Sequence, residues 1–183
     1  MTAPTTTDTA PRAHARRNTH PARSIFVLLA SVTLATGIGL LGSLATMSHV
    51  EGWYADADTA PWSPPDIVFG PVWTALYLMM AVAAWLVWRR RQDGEVRPAL
   101  VAYIVQLALN AAWTPVFFAL YPVLGVPALW LAFGIIVVLI AAVIFTILRF
   151  WPISRLASVL LVPYLAWLIF ASSLNVWVAA SAS

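Results

Sequence analysis

The chain lacks cysteine altogether, and only 9% of its 183 residues are charged. Without cysteine, disulfide bonds, iron–sulfur clusters and thiol catalysis are excluded. With 62% hydrophobic residues, the chain has too little polar surface to cover a soluble globule, so the composition indicates a membrane protein. The histidines, His14, His20 and His49, lie outside the long apolar runs and lack ligand-like spacing, so we expect no metal site.

Five long segments contain no Asp, Glu, Lys, Arg or His, and they run over residues 25–47, 67–88, 99–121, 126–148 and 156–180. Each holds the roughly 20 residues that a helix needs to cross about 30 Å of hydrocarbon. The sequence therefore predicts an all-α fold, an integral membrane bundle of five transmembrane helices within residues 24–183. Because buried ionisable groups mark proton relays and catalytic sites, these spans argue against a proton relay and against nucleophilic or metal-dependent catalysis. We assign no catalytic residue.

Positive charge is confined to alternate connections of this bundle. All ten basic residues are arginines, and they lie in the N-terminal tail, the second loop and the fourth loop. By the positive-inside rule these segments are cytoplasmic, which predicts an N-in, C-out topology in a bacterial cell membrane. Residues 1–23, rich in Thr, Ala, Pro and Arg, predict a disordered cytoplasmic tail. A signal peptide is the alternative, although the first apolar run exceeds the about 7–15 residues of such a segment.

The first loop, residues 48–66, combines backbone rigidity with aromatic side chains. Pro61, Pro64 and Pro65 restrict the chain just before the second span. Trp53 and Trp62 lie in the same loop. Tryptophans at the membrane interface, punctuated by proline, occur in many membrane proteins, so an aromatic belt facing the headgroups is one interpretation.

Three blocks of sequence carry a family resemblance. They are WSPP followed by VFGPVWTALYLM within residues 62–79, QLALNAAWTPVFF at 106–118 and VPYLAWLIFASSLN at 162–175. In this order, and with five spans, the chain over about residues 25–178 resembles the TspO/translocator protein (TspO/MBR, peripheral-type benzodiazepine receptor-like) family. We expect a bacterial member. Thr59 and Ala60 replace the family's usual Lys-Pro, and Val176 replaces the tyrosine of the cholesterol motif, so steroid handling is not implied.

The resemblance also implies a ligand pocket. Gln106, Asn110 and Trp113 share one face of the third span, and four residues of the fifth span form a similar stripe. Packing between helices would explain such stripes as well. In the family, the corresponding positions line an apolar pocket for porphyrins and benzodiazepine-site ligands, which the first loop caps. The candidate ligand-binding residues are Trp53, Trp62, Asn110, Trp113, Trp167, Phe170, Ala171 and Leu174.

The resemblance implies a tryptophan-rich sensory or translocator protein that binds protoporphyrin IX or haem-type tetrapyrroles, with no other cofactor. Two alternatives stay open: light- and oxygen-dependent porphyrin degradation, which would make the protein an enzyme, and passive transport of porphyrins or other small molecules. The expected partners are the tetrapyrrole and membrane lipid, not nucleic acid, with a homodimer packing through the small residues Ala108 and Ala112. Trp88 and Trp151, beside arginines at span ends, are expected to anchor in the headgroups instead of binding porphyrin.

Overall fold

The computed structural model describes residues 21–182, apart from the side chains of Pro21, Ser43, Ala45 and Thr46. Its helices are α1 (Pro21–Val50), α2 (Asp66–Arg89), α3 (Arg97–Phe118), α4 (Tyr121–Leu124), α5 (Val126–Phe150) and α6 (Arg155–Ser181). Within the described chain, five helices are long and apolar enough to cross a membrane, which confirms the predicted all-α five-span fold. Of the predicted disordered tail, residues 1–20 lie outside the described residues, whereas residues 21–23 begin α1.

The third span ends earlier than the predicted 99–121, because the helix is interrupted shortly after Pro115 and the chain reverses at Gly125. The carbonyl oxygen of Pro115 accepts hydrogen bonds from the backbone N–H groups of both Ala119 (2.9 Å) and Leu120 (3.1 Å), and α3 ends there. The short α4 then ends at Gly125, whose φ of 65° lies in the left-handed region that favours glycine. This reversal sets α5 alongside α3.

The five long helices form a closed ring. α1 lies against α2 and α3, α2 lies against α6, and α5 lies between α6 and α3, so the order round the ring is α1, α2, α6, α5, α3. Large side chains fill the space between the helices, among them Tyr164, Phe150, Met80, Leu129, Ile136, Leu139, Leu161 and Leu168. The outward faces carry exposed Leu, Ile and Val side chains, as a helix surrounded by hydrocarbon requires.

Small residues on α1 let this helix approach its two neighbours closely. Ala35 is fully buried, and a Cβ atom added at Gly39 would clash with the ring of Tyr77 on α2. One turn further on, Gly42 faces Thr114 of α3. Inside lipid, close backbone approach of this kind is a main source of helix–helix packing energy.

The alternating helix directions give the ring two chemically different ends. At the lid end, the first loop lies where α1, α3 and α6 end and α2 begins. At the arginine end, α2 and α5 end and α1, α3 and α6 begin, and the described arginines lie there: Arg23, Arg89, Arg90, Arg91, Arg97, Arg149 and Arg155. All the candidate loop residues therefore belong to the lid end.

Candidate functional site

The first half of the loop is fixed to the junction of α3 and α4. The Trp53 indole Nε1–H donates to the carbonyl oxygen of Phe118 at 2.9 Å. Its ring stacks on Tyr121 with ring centroids 3.9 Å apart. Tyr54 packs edge-on against Phe117 and Phe118. Burial, and secondly the nearby carboxylate of Asp66, raise the pKa of the Tyr54 phenol, so it stays neutral in this apolar corner.

The second half of the loop rests on α6. The Trp62 indole Nε1–H donates to Ser173 Oγ at 3.2 Å, and the Trp62 ring meets Trp177 edge-on with centroids 5.1 Å apart. A turn closed by the hydrogen bond from the Ser63 N–H to the Ala60 carbonyl oxygen (2.8 Å) presents Trp62 to α6. The loop is thus held at two separate places on the ring, on α3–α4 and on α6, and it spans the mouth between them.

Below the loop, α2 and α6 face each other through aromatic rings. Phe69 and Trp73 of α2 lie 5.7 Å and 6.5 Å from Trp167 of α6, centroid to centroid, and Trp167 lies 5.5 Å from Phe170. Trp73 also stacks on Tyr77 at 5.4 Å. The spacing of four residues puts Phe69, Trp73 and Tyr77 on one face of α2. We call Phe69, Trp73, Trp167 and Phe170 the α2–α6 aromatic group.

Two indole groups of this region keep a hydrogen-bond donor unused. The Nε1–H groups of Trp167 and Trp177 are buried and have no hydrogen-bond partner among the described residues. An unpaired buried donor costs about 1–3 kcal/mol, and folded proteins pair most of them. Both donors therefore keep an unused capacity to form a hydrogen bond.

Three side chains of α3, those of Gln106, Asn110 and Trp113, form hydrogen bonds within the ring. The Tyr77 hydroxyl donates to Asn110 Oδ1 at 2.9 Å, which joins α2 to α3. The Trp113 Nε1–H donates to Asn175 Oδ1 at 3.3 Å, and Asn175 Nδ2 donates to the Leu129 carbonyl oxygen at 3.1 Å, so α3, α6 and α5 are cross-linked. The amide of Gln106 donates weakly to Met80 Sδ at 3.9 Å. For Asn110 and Trp113, the geometry favours helix packing over direct ligand contact.

The eight residues predicted from the sequence therefore fall into separate places. Trp53 lies on α3–α4 and Trp62 on α6, while Trp167 and Phe170 belong to the α2–α6 aromatic group. Ala171 is partly buried beside this group, and Leu174 is buried. The remaining two residues, Asn110 and Trp113 of α3, form hydrogen bonds to other helices of the ring.

Sequence reasoning left several residues out of the site. They are Phe69, Trp73, Tyr77, Ser173, Asn175 and Trp177. The aromatic spacing of four along α2 was a usable signal, because it places three rings on one face. For Trp177, one helical turn beyond Ser173, the signal was the same spacing on α6. Neither spacing shows which helix lies opposite, because that depends on the order of the helices in the ring.

Fold and site together define a class: an integral membrane protein whose ring of five helices is covered at one end by a loop rich in proline and tryptophan. The TspO/MBR family model matches residues 30–180. The chain belongs to this family.

Relatives support the assignment over most of their length. The chain is 36% identical over 155 residues to the tryptophan-rich protein TspO of Archaeoglobus fulgidus, covering 83% of this chain and 94% of that protein. It is 39% identical over 153 residues to the translocator protein of Homo sapiens, covering 79% and 85%. The tryptophan-rich sensory protein of Cereibacter sphaeroides is 33% identical over 144 residues, again covering 79% and 85%. These findings confirm the family read from the three sequence blocks. The relatives include an archaeal and a human protein, so bacterial origin stays a prediction.

Proposed function

We propose that the protein binds a porphyrin, protoporphyrin IX or a haem-type tetrapyrrole, between the first loop and the α2–α6 aromatic group, as part of tetrapyrrole sensing. The observation that carries the proposal is the presence of two buried, unpaired indole donors on α6: that of Trp167, within this aromatic group, and that of Trp177, which contacts Trp62 of the first loop. A porphyrin is a flat apolar macrocycle that bears carboxylates. Aromatic faces stack on such a ring, and indole N–H groups donate to carboxylate oxygens. Flat benzodiazepine-site ligands with a carbonyl group fit the same description.

The two halves of the loop differ in how firmly they are held, which suggests a route for the ligand. The Trp53 half combines a hydrogen bond with ring stacking in a partly buried corner. The Trp62 side chain is 49% exposed, and its one hydrogen bond, to Ser173, lies at the surface. Because exposed hydrogen bonds exchange readily with water, the Trp62 half opens first. A porphyrin would enter beside α6, next to Trp167 and Trp177.

A porphyrin titration of matched tryptophan variants tests the site. Protoporphyrin IX is added to the purified protein and to its Trp62→Phe, Trp167→Phe and Trp88→Phe variants, and binding is followed by porphyrin absorption, which does not depend on the number of tryptophans. We expect Trp62→Phe and Trp167→Phe to weaken binding by about five- to tenfold, because one stacked aromatic contributes on the order of 1 kcal/mol. Trp88→Phe, at the arginine end, should bind like the unaltered protein.

A fourth variant, Ala171→Leu, tests whether the face of α6 that carries Ala171 lines the proposed porphyrin site. Ala171→Leu fills space beside Trp167 and should weaken porphyrin binding without unfolding the protein. Far-UV circular dichroism checks that each variant is folded. Equal affinities in all four variants would mean that the aromatic rings only pack the helices.

A second candidate function, porphyrin photodegradation, is favoured by the row of oxidisable rings that leads inward from the site. Trp167, Trp73 and Tyr77 are neighbours with centroids 6.5 Å and 5.4 Å apart. Such a row would exchange electrons with a light-excited porphyrin. Spectra of the complex in light with oxygen and in the dark separate the two functions. A product that forms only in light, and more slowly in Trp73→Phe, supports degradation, whereas unchanged spectra support binding alone.

We also propose the topology and association expected from the sequence. The arginine end faces the cytoplasm, so a reporter fused to the C-terminus should report the outside. Ala108 and Ala112 are exposed on α3, which supports a homodimer through this face. Because the chain has no cysteine, Ala112→Cys introduces a unique cross-linking site. In lipid at low protein-to-lipid ratio it should cross-link, whereas Val138→Cys, exposed on α5, should not.

A further inference from the structure

A groove at the arginine end has no role in the proposed porphyrin site. Its volume is about 420 Å³, and it lies between the end of α2 and the first turns of α3. The lining includes Trp88, Arg91, Arg97, Val101, Ile104 and Val105. Two arginines and an indole thus share one groove with a row of aliphatic side chains.

Polar and apolar lining residues lie at opposite ends of this groove. Arg97 is the first residue of α3, and the aliphatic side chains follow it up to Val105, about 12 Å further along at 1.5 Å per residue. Val101, Ile104 and Val105 are half-exposed on a helix that crosses the membrane. The surface inside the groove is almost wholly apolar, so the two guanidinium groups lie at its rim, at the level of the headgroups, and the groove continues along hydrocarbon in the bilayer.

The geometry holds the Arg91 side chain in place, and among the described residues neither Arg91 nor Arg97 has a carboxylate partner. The Arg91 guanidinium lies 3.6 Å over the Trp88 ring, and its Nη1 donates to the Trp88 carbonyl oxygen at 3.2 Å. Within residues 21–182, the recorded ion pair of this loop joins Arg90 to Asp93 at 3.7 Å, and neither Arg91 nor Arg97 pairs with a carboxylate of the described residues. Most of their N–H donors can therefore bind an external anion.

We propose that this groove binds one anionic glycerophospholipid of the surrounding membrane. The phosphate lies between Arg91 and Arg97, because guanidinium groups bind phosphate oxygens through strong, paired hydrogen bonds. One acyl chain lies along Val101, Ile104 and Val105. Basic pockets at the cytoplasmic ends of transmembrane helices suit anionic headgroups, and Trp88 has the amphipathic ring found at that depth.

Charge decides between lipid and a second copy of the chain as the occupant. The exposed face of α3 continues from Val105 to Ala108 and Ala112, so a dimer through those alanines would border the groove. If that interface extended over the groove, the same patch would meet itself, and the Arg97 guanidinium of each copy would approach the other. Like charges without an intervening anion disfavour that contact. A lipid phosphate satisfies the same cations.

Native mass spectrometry of the full-length protein in detergent tests the proposal. The probes are palmitoyl-oleoyl phosphatidylglycerol and phosphatidylcholine, which share acyl chains and differ in headgroup charge. The variant is Arg91→Gln/Arg97→Gln. Its matched control, Arg149→Gln/Arg155→Gln, removes the same charge at the same end, outside the groove. Arg155 also lies over a tryptophan ring, that of Trp151, although at 5.6 Å instead of the 3.6 Å between Arg91 and Trp88.

We expect the unaltered protein to bind phosphatidylglycerol at least about fivefold more tightly than phosphatidylcholine. The groove variant should lose about tenfold or more of its phosphatidylglycerol affinity and keep its phosphatidylcholine affinity, while the control stays within about twofold. Ile104→Trp, which fills the apolar part, should weaken both lipids. Equal binding of the two lipids, or an equal loss in the control, overturns the proposal. So does an Ile104→Trp variant that loses a dimer and binds lipid as before, because the groove would then be an interface between copies.

Discussion

At the lid end of the ring, aromatic rings from the first loop, α2, α3 and α6 fill the space between the helices, whereas at the arginine end α2 and α3 part around a groove of about 420 Å³. Tryptophan occurs at both ends of the ring, in different surroundings. On α2, Trp73 packs among the rings that face α6, while Trp88 lies under a guanidinium at the surface. What a tryptophan does here is decided by its neighbours and by its depth in the membrane.

The two ends also offer an anionic ligand different attractions. The first loop carries Glu51, Asp56, Asp58 and Asp66 and no arginine or lysine, so a porphyrin carboxylate bound there would depend on indole donors. At the arginine end, guanidinium groups would attract the same carboxylate directly. A porphyrin for which charge mattered more than stacking would therefore bind near Trp88.

The largest effect should follow from removing the amide that joins three helices near the lid. Asn175→Ala takes the hydrogen-bond partner from Trp113 and from the Leu129 carbonyl oxygen, both within the ring. We expect the free energy of unfolding to fall by about 2 kcal/mol. Unfolding in detergent with added SDS, followed by circular dichroism, measures this loss.

Two substitutions at the other end serve as controls for Asn175→Ala. Ser154→Ala removes the side-chain cap at the start of α6 and should cost about 1 kcal/mol. Arg149→Gln, at an exposed position, should stay within about 0.5 kcal/mol. If Ser154→Ala destabilised the protein as much as Asn175→Ala, the lid end would not be the more strongly cross-linked of the two.

The spans and the all-α fold were predictable from the sequence because lipid imposes a minimum length and tolerates no unpaired backbone. The sequence also places two small residues of α1, Ala35 and Gly39, four positions apart, and both pack closely against neighbouring helices. The break after Pro115 was harder to predict, because the apolar run continues through it to Tyr121.

The site was predicted only in part, for a physical reason. Helical spacing tells which residues share a face, but on α2 hardly any polar residue marks which face lies inside. The sequence alone therefore did not show that Trp73 of α2 lies opposite Trp167 of α6. Asn110 and Trp113 were correctly expected to share a face, yet their partners, Tyr77 and Asn175, follow from the ring order.

A pair of substitutions on one helix sharpens the comparison of the two ends. Trp73→Phe shrinks a ring of the α2–α6 aromatic group and should weaken protoporphyrin IX binding by about fivefold. Trp85→Phe is the matched control on the same helix. The Trp85 Nε1–H donates to the Ser24 carbonyl oxygen on α1 at 2.9 Å, towards the arginine end, and its loss should leave porphyrin affinity unchanged. A larger loss in Trp85→Phe would place the porphyrin at the arginine end.

The smallest expected effect distinguishes the two halves of the first loop, and it is measured best as a change in the dissociation rate of protoporphyrin IX. Ser173→Ala removes the acceptor of the exposed Trp62 hydrogen bond, which contributes about 0.5 kcal/mol. The equilibrium affinity for protoporphyrin IX should then change by less than about threefold, while its dissociation rate rises about two- to threefold, because the Trp62 half opens more often. Stopped-flow displacement of bound porphyrin measures this rate.

Tyr121→Leu is the counterpart on the firmly held half of the loop, because it removes the ring on which Trp53 stacks. This stacking contact is worth more than the Ser173 hydrogen bond, so the variant should be the less stable of the two. Its porphyrin dissociation rate should nevertheless stay near that of the unaltered protein, since on the proposed route the porphyrin leaves beside α6. Equal acceleration in both variants would mean that the loop lifts as one unit, and acceleration in Tyr121→Leu alone would place the exit at α3–α4.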